Sequence, residues 1–297
     1  MNSHIGSGNG ARAVLMFYLL LSLLSPTAMA QSKERHAFIV GAKAKIPRRI
    51  VSLAPAVTEI VFALGASKKL VGVTRYCDRP KAAKKIPRIG GFADPQLEAI
   101  IIKKPDIVIA MPMASLAPIL KALQRQGVAT VTGYGDRISE IFDLIGFLGK
   151  ILRVPKKAEQ LQMRMRKELA TIKDGLGGTS VRVAIVIDSS PIVLAGNGTY
   201  PNELLEHLGA KSIVDSNDVP WPIWSHESLL HANPGIIVVT GGRSGLKSFH
   251  MHTKMLWPKG KGPKVISTKE PFLERPGPAL AADAKLLLRL LKRATAS

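Results

Sequence analysis

The most regular hydrophobic pattern in the chain runs from Val154 to Leu176, VPKKAEQLQMRMRKELATIKDGL. Its apolar residues recur every three or four positions, which places them in one stripe along a helix. They are Val154, Ala158, Leu161, Met165, Leu169, Ile172 and Leu176. Pro155 suits a first helical turn, and Gly177 and Gly178 supply a stop. The pattern predicts one uninterrupted helix, about 33 Å long, near the middle of the chain.

Short apolar runs alternate with helical patterns on both sides of this helix. The clearest is DIVIAM at 106–111, a continuous apolar stretch that directly follows Pro105. Continuous apolar strands that alternate with helices are typical of parallel sheets covered on both faces, so we predict an α/β fold. Strands are predicted at 49–53, 70–74, 106–111, 128–132, 181–187, 235–240 and 264–267, and helices at 58–64, 115–126, 139–152, 202–208 and 279–292.

The two halves of the chain resemble each other. Residues 58–66, TEIVFALGA, match 202–210, NELLEHLGA, at an offset of 144 residues. Residues 97–109, LEAIIIKKPDIVI, match 226–238, HESLLHANPGIIV, at an offset of 129. Chance similarity between short helix-turn-strand units is an alternative explanation, but two matches in the same order indicate a duplication.

The duplication predicts two Rossmann-like lobes with parallel central sheets, joined by one long α-helix, with a ligand cleft between them. The N-terminal lobe is predicted to cover residues 31–153 and the linking helix 154–177. The C-terminal lobe would then cover residues 178–297.

Residues 1–30 have the pattern of a secretory signal peptide. A polar, weakly basic segment ends at Arg12, an apolar run covers 13–24, and Ala-Met-Ala at 28–30 forms a small-residue cleavage site. The run is too short to span a bilayer comfortably. No cysteine follows it, so we expect a soluble exported protein without a lipid anchor.

The charge and the cysteine content bear on nucleic-acid binding and on disulfide formation. The formal net charge is +21, and it falls to +20 without residues 1–30, which hold one arginine and no acidic residue. Such an excess favours anionic partners, but the basic residues are dispersed in pairs without interleaved aromatics. We therefore expect a solvated basic surface and no binding of nucleic acid. Cys77 is the only cysteine, which excludes an intrachain disulfide.

Residues that follow the predicted strands are the candidates for ligand contacts, because ligands of such folds lie outside the carboxyl ends of the strands. Those segments are 54–55, 76–78, 90–92, 111–113, 189–191, 219–224 and 270–275. Their composition suits a large, mostly apolar ligand with a few polar handles. Purely structural roles are the alternative: Trp221 and Trp224 could pack a loop, and Arg275 could form an ion pair with the adjacent Glu274.

The motifs resemble a known family. LAPAVTEIVFALG, the GGF segment with LEAI and KPDIVIA, DVPWPIWSHESLL with NPGIIVVTGG, and FLERPGPAL are together similar to periplasmic substrate-binding proteins of ABC importers. The resemblance is to the class with a long linking helix, and within it to cobalamin-binding members. It covers nearly the whole chain after residue 30, and VPWP and LERPGP are its most specific parts.

The resemblance implies a ligand held between the lobes and a small closing motion on binding. With the strand-end position Pro55, it implies a site formed by Pro55, Tyr76, Phe92, Met111, Trp221 and Arg275. The positions of Phe92 and Met111 resemble tryptophans in the cobalamin-binding members, so the sequence departs from the pattern there. The ligand implied is cobalamin or a related corrinoid, with no separate cofactor.

The resemblance also implies partners. Glu98 and Glu227 occupy equivalent positions in the repeat, and one acid per lobe would dock onto arginines of a permease dimer. Their alternative role is to complement the dipoles of the helices that they begin. We expect a monomer in the periplasm that contacts the inner membrane only through the transporter.

Other functions are less favoured by the residues. The sequence has no G-x-S-x-G elbow, H-E-x-x-H pair or Walker loop, so we expect no enzyme activity. Zinc or manganese binding would need more ligands than His226 with His231, or His250 with His252.

Haem and ferric siderophores stay open as ligands. Phe92 stands where we would look for a haem-ligating tyrosine, although Tyr76 could serve. An anionic siderophore would need basic residues in the cleft, such as Arg75, Arg79 and Arg275.

Overall fold

The computed structural model describes residues 38–40, 46–178, 180–214, 219–253, 256–257 and 262–296. The predicted signal peptide at 1–30 lies outside these residues. No helix in the described part of the chain is both long enough and apolar enough to cross a bilayer.

The N-terminal lobe is built on one sheet. Its strands are β1 (Phe38–Val40), β2 (Ile50–Ser52), β3 (Leu70–Val73), β4 (Ile107–Ala110) and β5 (Ala129–Thr132), and its helices are α1 (Pro55–Ala63), α2 (Leu97–Ile102), α3 (Ala117–Arg125) and α4 (Ile138–Ile151). The strand order is β1-β5-β4-β2-β3. All neighbours in this sheet are parallel except β1, which pairs antiparallel with β5.

Helices cover both faces of this sheet, as the continuous apolar strands predicted. In β4, Ile107 and Ile109 belong to one buried cluster, whereas Val108 and Ala110 belong to another. Successive strand residues point to opposite faces, so each face has its own hydrophobic core.

The C-terminal lobe repeats this plan with an added antiparallel part. A linking helix, α5 (Pro155–Ala170), leads to β6 (Arg182–Ser189), β7 (Ile192–Leu194), α6 (Tyr200–His207), β8 (Lys211–Ser212), β9 (Ile223–Trp224), α7 (His226–His231), β10 (Ile236–Val239), α8 (Gly242–Thr253), β11 (Lys264–Ile266) and α9 (Leu280–Ala296). The order is β11-β10-β6-β7-β9, with β8 also paired to β6. Strands β11, β10, β6 and β8 are parallel, whereas β7 runs antiparallel to β6 and β9.

The duplication is visible in the backbone. Helix α2 and strand β4 reappear as α7 and β10 at the same offset of 129 residues, with identical lengths. The turn residues Lys104 and Asn233, related by this offset, both have φ of 46°. Gly65 and Gly209, related by the offset of 144, have φ of 72° and 84° and end equivalent helices. Chance similarity would not reproduce these turn conformations, so the two lobes are structurally related.

The linking helix is shorter than predicted. It ends at Ala170, and residues 171–176 form turns, so its length is about 24 Å. Asp174 has φ of 51°, and its amide donates to His207 O at 2.9 Å, while the Leu176 amide donates to Leu208 O at 3.0 Å. These amides bond the end of α6 instead of continuing the helix.

The apolar stripe on α5 is confirmed. Ala158, Leu161, Met165 and Leu169 are buried. The helix packs against α4 of the first lobe and α9 of the second. It therefore joins the two lobes and shares their core. The exact lobe boundaries given above stay predictions.

Candidate functional site

Arg275 forms ion pairs that connect the two lobes. Its guanidinium, 18% exposed, lies 3.0 Å from Glu59 Oε1 and 2.7 Å from Asp78 Oδ1. It also approaches Tyr76 O at 3.4 Å. Glu59 lies on α1 and Asp78 follows β3, so all these acceptors belong to the opposite lobe. The adjacent Glu274 accepts a hydrogen bond from Thr240 at 3.4 Å, and the charge of Arg275 also acts to lower its pKa.

Burial sets the protonation behaviour of this cluster. It raises the pKa of Glu59, and the hydrogen bond and charge of Arg275 oppose that shift. Burial likewise raises the pKa of Glu274 and Asp283. Burial also acts to raise the pKa of Asp78, but the hydrogen bond and charge of Arg275 outweigh it, so that pKa is lowered. The guanidinium of Arg275 is thus paired with two carboxylates of the opposite lobe and favours their charged forms.

A second set of polar contacts joins the lobes through Asp136 and Glu203. Glu203, on α6, accepts from Arg137 Nε at 3.1 Å and from the Ile138 amide at 2.7 Å at the start of α4. Trp221 Nε1 donates to Asp136 Oδ1 at 3.2 Å, and Asp136 O accepts from the Tyr200 amide. The indole of Trp221 is therefore oriented by a carboxylate of the opposite lobe.

The two sets mirror each other. Glu59 and Glu203 are equivalent in the repeat at the offset of 144 residues, and each pairs with an arginine of the opposite lobe, Arg275 or Arg137. Sequence reasoning missed both glutamates. The repeat was the signal that could have identified them, because TEIVFALGA and NELLEHLGA align these acids.

Contacts at Gly135 connect the Trp221 and Arg275 sets. A Cβ placed on Gly135 would lie 2.9 Å from Pro276 Cβ and 3.0 Å from Met111 Cε, so both side chains reach this glycine. Gly135 precedes Asp136, the partner of Trp221, and Pro276 follows Arg275. A path from Trp221 to Arg275 therefore runs through Asp136, Gly135 and Pro276, in part through bonded neighbours, and Met111 lies beside it at Gly135. We call it the interlobe path.

Phe92 and Pro55 are two further predicted site residues. Phe92 is partly buried and follows Gly91, whose backbone abuts the guanidinium of Arg75 next to Tyr76. Pro55 begins α1, and the following Ala56 lies against Gly277, with Ala56 O 3.6 Å from a Cβ placed there. Pro55 and Phe92 are thus linked to the other predicted site residues through neighbours in sequence.

Exposed apolar side chains mark both lobes near the interlobe path. Tyr76 is 52% exposed, and Val219 and Ile223, which flank the segment of Trp221, are 64% and 68% exposed. Trp224, in contrast, lies in β9 and packs against the core of the second lobe. Trp224 therefore has a packing role in its own lobe. Trp221, by contrast, contacts Asp136 of the opposite lobe.

The two candidate docking glutamates occupy matching places. Glu98 and Glu227 are exposed and lie in the first turns of α2 and α7. The pKa of Glu227 is lowered by a hydrogen bond from its own backbone amide and by the Ser225 hydroxyl. This geometry fits the dipole-complementing role and leaves the docking role a prediction.

Two other kinds of ligand site, a metal site and a groove, are less well supported by the structure. The described residues contain no group of three or more His, Cys, Asp or Glu side chains placed to hold a metal ion. A groove of about 400 Å³ lies between α4 and α5, lined by Asp143, Gly146, Phe147, Lys150, Pro155, Ala158, Glu159 and Gln162. It lies on the linking helix, away from the strand ends where the site residues meet.

Residues 50–261 match the family model of the periplasmic binding proteins. The chain belongs to the periplasmic binding protein family. The family match and the relatives described next make the chain a substrate-binding protein and not an enzyme.

Individual relatives of this binding protein cover most of its length. A vitamin B12-binding protein of Pectobacterium carotovorum is 26% identical over 243 residues, 81% of this chain and 87% of that protein. The periplasmic vitamin B12 binding protein of Vibrio cholerae superimposes with a TM-score of 0.67 at 25% identity, covering 85% of this chain and 99% of that one. A periplasmic heme binding protein from Pseudomonas aeruginosa also gives 0.67 at 25% identity, over 82% and 91%. The two-lobed α/β fold is thus shared by binders of different macrocycles.

Proposed function

We propose that this protein captures cobalamin or a related corrinoid between its lobes and delivers it to the permease of an ABC importer. Residues 1–30 would direct export to the periplasm, where the protein would act as a monomer. The observation that carries the proposal is the interlobe path from Trp221 to Arg275, with Met111 beside it, which brings together predicted ligand residues of both lobes. The vitamin B12-binding relatives support the same ligand class.

The charges around the interlobe path favour a ligand without a net negative charge. Arg75 is 2.8 Å from Asp94, Arg79 donates to Pro271 O at 3.0 Å, and Arg275 is neutralised by Glu59 and Asp78. An anionic siderophore would have to displace these partners. A corrinoid is a broad macrocycle with neutral amide side chains, which suits aromatic faces with a few polar handles.

Haem is the second candidate, and Tyr76 is the observation that favours it. Its ring is half exposed, and the Arg75 guanidinium lies 5.4 Å from the ring centre. A phenolate oxygen can ligate ferric iron. Haem carries two propionates, however, and the arginines described above already have partners.

A competition experiment tests the proposal. The purified mature protein is incubated with equimolar cyanocobalamin, haemin and a ferric siderophore, desalted, and its absorption spectrum recorded. We expect the corrinoid spectrum to stay with the protein. Retention of the haem or siderophore chromophore instead would contradict the corrinoid proposal and identify the alternative.

Tyr76→Phe separates the two macrocycles. The change keeps the aromatic ring and removes only the oxygen that could bind iron. For a corrinoid site we expect cyanocobalamin affinity within about twofold of wild type, because ring stacking is retained. Loss of a tyrosinate-to-iron charge-transfer band in haemin-loaded protein, with greatly weakened haemin binding, would instead favour haem.

Replacing both Glu98 and Glu227 by alanine tests docking. Because both residues are exposed and are not among the predicted ligand residues, we expect unchanged affinity for cyanocobalamin but at least tenfold slower import in vesicles that contain the permease. Glu159→Ala, at an exposed position on α5, is the control for loss of a surface acid. Import at the wild-type rate by the double variant would refute the docking role.

A further inference from the structure

The fold gathers basic residues that are scattered in the sequence. Parallel strands begin at one edge of a sheet, so the residues that precede β3, β2, β4 and β5 lie together. Seven of them are basic and form what we call the basic edge: Arg48, Arg49, Lys68, Lys69, Lys103, Lys104 and Arg125. At a strand spacing of about 4.8 Å, this edge is roughly 14 Å wide. The interpretation of dispersed charge therefore does not hold for three of the basic pairs.

Contacts within the edge fix its geometry. Arg49 Nη2 donates to Lys103 O at 2.6 Å, and Arg49 Nε lies 3.0 Å from Lys104 O. Strand register places Ile50 beside both Leu70 and Ile107, so the segments of Arg49 and Lys69 are neighbours. The guanidinium of Arg49 thus holds the turn that presents the two lysines.

Acidic residues do little to neutralise the edge. In the four segments 46–49, 66–69, 102–106 and 125–128, the only acid is Asp106. Its carboxylate accepts the amides of Arg48 and Arg49 at 2.6 and 2.8 Å, so it orders the backbone. The edge therefore carries a formal excess of six positive charges.

Apolar side chains stand among these cations. Ile102, beside Lys103, is 72% exposed, and Ile46, near Arg48, is 52% exposed. The basic edge contains no aromatic residue on which a nucleic-acid base could stack. Basic side chains are attracted to anionic lipid headgroups, and neighbouring aliphatic side chains insert at the boundary of the acyl chains, so this combination suits a membrane surface.

We propose that the basic edge binds the surface of a membrane that contains anionic phospholipids. The basic edge lies at the amino ends of the strands, whereas the interlobe path lies at their carboxyl ends. A protein held by this edge keeps its cleft open to solvent. The contact is direct and adds to the indirect one through a transporter, and it does not depend on which ligand the cleft holds.

Vesicle sedimentation tests the proposal with the full mature protein at 0.15 M NaCl. Vesicles of phosphatidylglycerol and phosphatidylethanolamine are compared with vesicles of phosphatidylcholine. We expect binding only to the anionic vesicles. Each basic residue near such a surface contributes about fivefold to affinity, so Lys68→Gln, Lys104→Gln and Arg125→Gln together should weaken binding about 100-fold. Arg49 is left intact because its side chain orders the edge.

Two comparisons keep the result specific. Lys81→Gln, Lys84→Gln and Lys85→Gln remove three charges from an exposed 3₁₀ helix elsewhere and should cause a much smaller loss. Ile46→Ser with Ile102→Ser should weaken vesicle binding about tenfold and leave heparin binding unchanged. An equal loss of vesicle binding in the basic-edge triple variant and in the control triple variant would overturn the proposal in favour of attraction by diffuse surface charge. Wild-type vesicle binding by the isoleucine variant would overturn it in favour of a soluble polyanion.

Discussion

Arg275→Ala is expected to destabilise the protein by about 3–5 kcal/mol, the range observed when one partner of a buried ion pair is removed. The change leaves Glu59, with its side chain 9% exposed, without its cation. Asp78 loses the same partner. Urea unfolding followed by circular dichroism measures the free energy of unfolding, and Arg289→Ala on the exposed face of α9 is the control.

The loss in free energy of unfolding caused by Arg275→Ala should be larger at neutral pH than at low pH. Burial already raises the pKa of Glu59 above its ordinary value of 4.5, and loss of Arg275 removes the hydrogen bond and the larger of the two charges that oppose this shift, while the charge of Arg79 remains. The folded variant then binds a proton more tightly than the unfolded chain, so its stability is greatest at low pH and is lost as the pH rises through the pKa of Glu59 in the folded state. The difference from wild type should shrink as the pH falls towards 4.5.

A second variant separates charge burial from lost packing. Glu59→Gln combined with Arg275→Ala removes the uncompensated carboxylate, so it should recover part of the stability at neutral pH. A deficit for Arg275→Ala that is below about 1 kcal/mol, or that is independent of pH, would show that the ion pair is solvated and does not join the lobes.

Trp221→Ala is expected to weaken cyanocobalamin binding by about 30-fold or more, as truncation of a central tryptophan does in binding sites. The indole is held by Asp136 of the opposite lobe, so the change removes both the apolar face and an ordered contact between lobes. Isothermal titration calorimetry measures the affinity. Trp221→Phe should retain part of it, because an aromatic face remains.

Fluorescence gives an independent assignment of the same residue. Trp224 packs in the core of the second lobe, so Trp224→Phe should preserve most of the quenching by a bound corrinoid, whereas Trp221→Phe should lose most of it. Unchanged affinity and quenching in the Trp221 variants would remove this residue from the site and leave it only the loop-packing role.

Local patterns predicted much of the fold. The run DIVIAM became β4, and the stripe on α5 is buried as its spacing predicted. The helix end was predicted six residues too late, because Asp174 and Leu176 bond backbone carbonyls of α6, some 30 residues further along the chain. Hydrophobic periodicity continues through Ile172 and contains no information about such partners.

The candidate site also depends on partners that are distant in sequence. Arg275 was predicted as a ligand residue or as a partner of adjacent Glu274, yet its carboxylate partner on α1 is 216 positions away in sequence. The basic edge was likewise hidden, since pairs that appear dispersed along the chain meet only when parallel strands align their starting ends. Strand order and lobe packing, which single-sequence patterns do not specify, determine both features.

The most direct test of the central claim is a calorimetric titration of the purified mature protein with cyanocobalamin at concentrations on the order of tens of micromolar. A corrinoid site between the lobes predicts saturable binding of one corrinoid per protein, accompanied by quenching of tryptophan fluorescence. Absence of both heat and quenching, in protein that is folded by circular dichroism, would contradict a corrinoid site between the lobes.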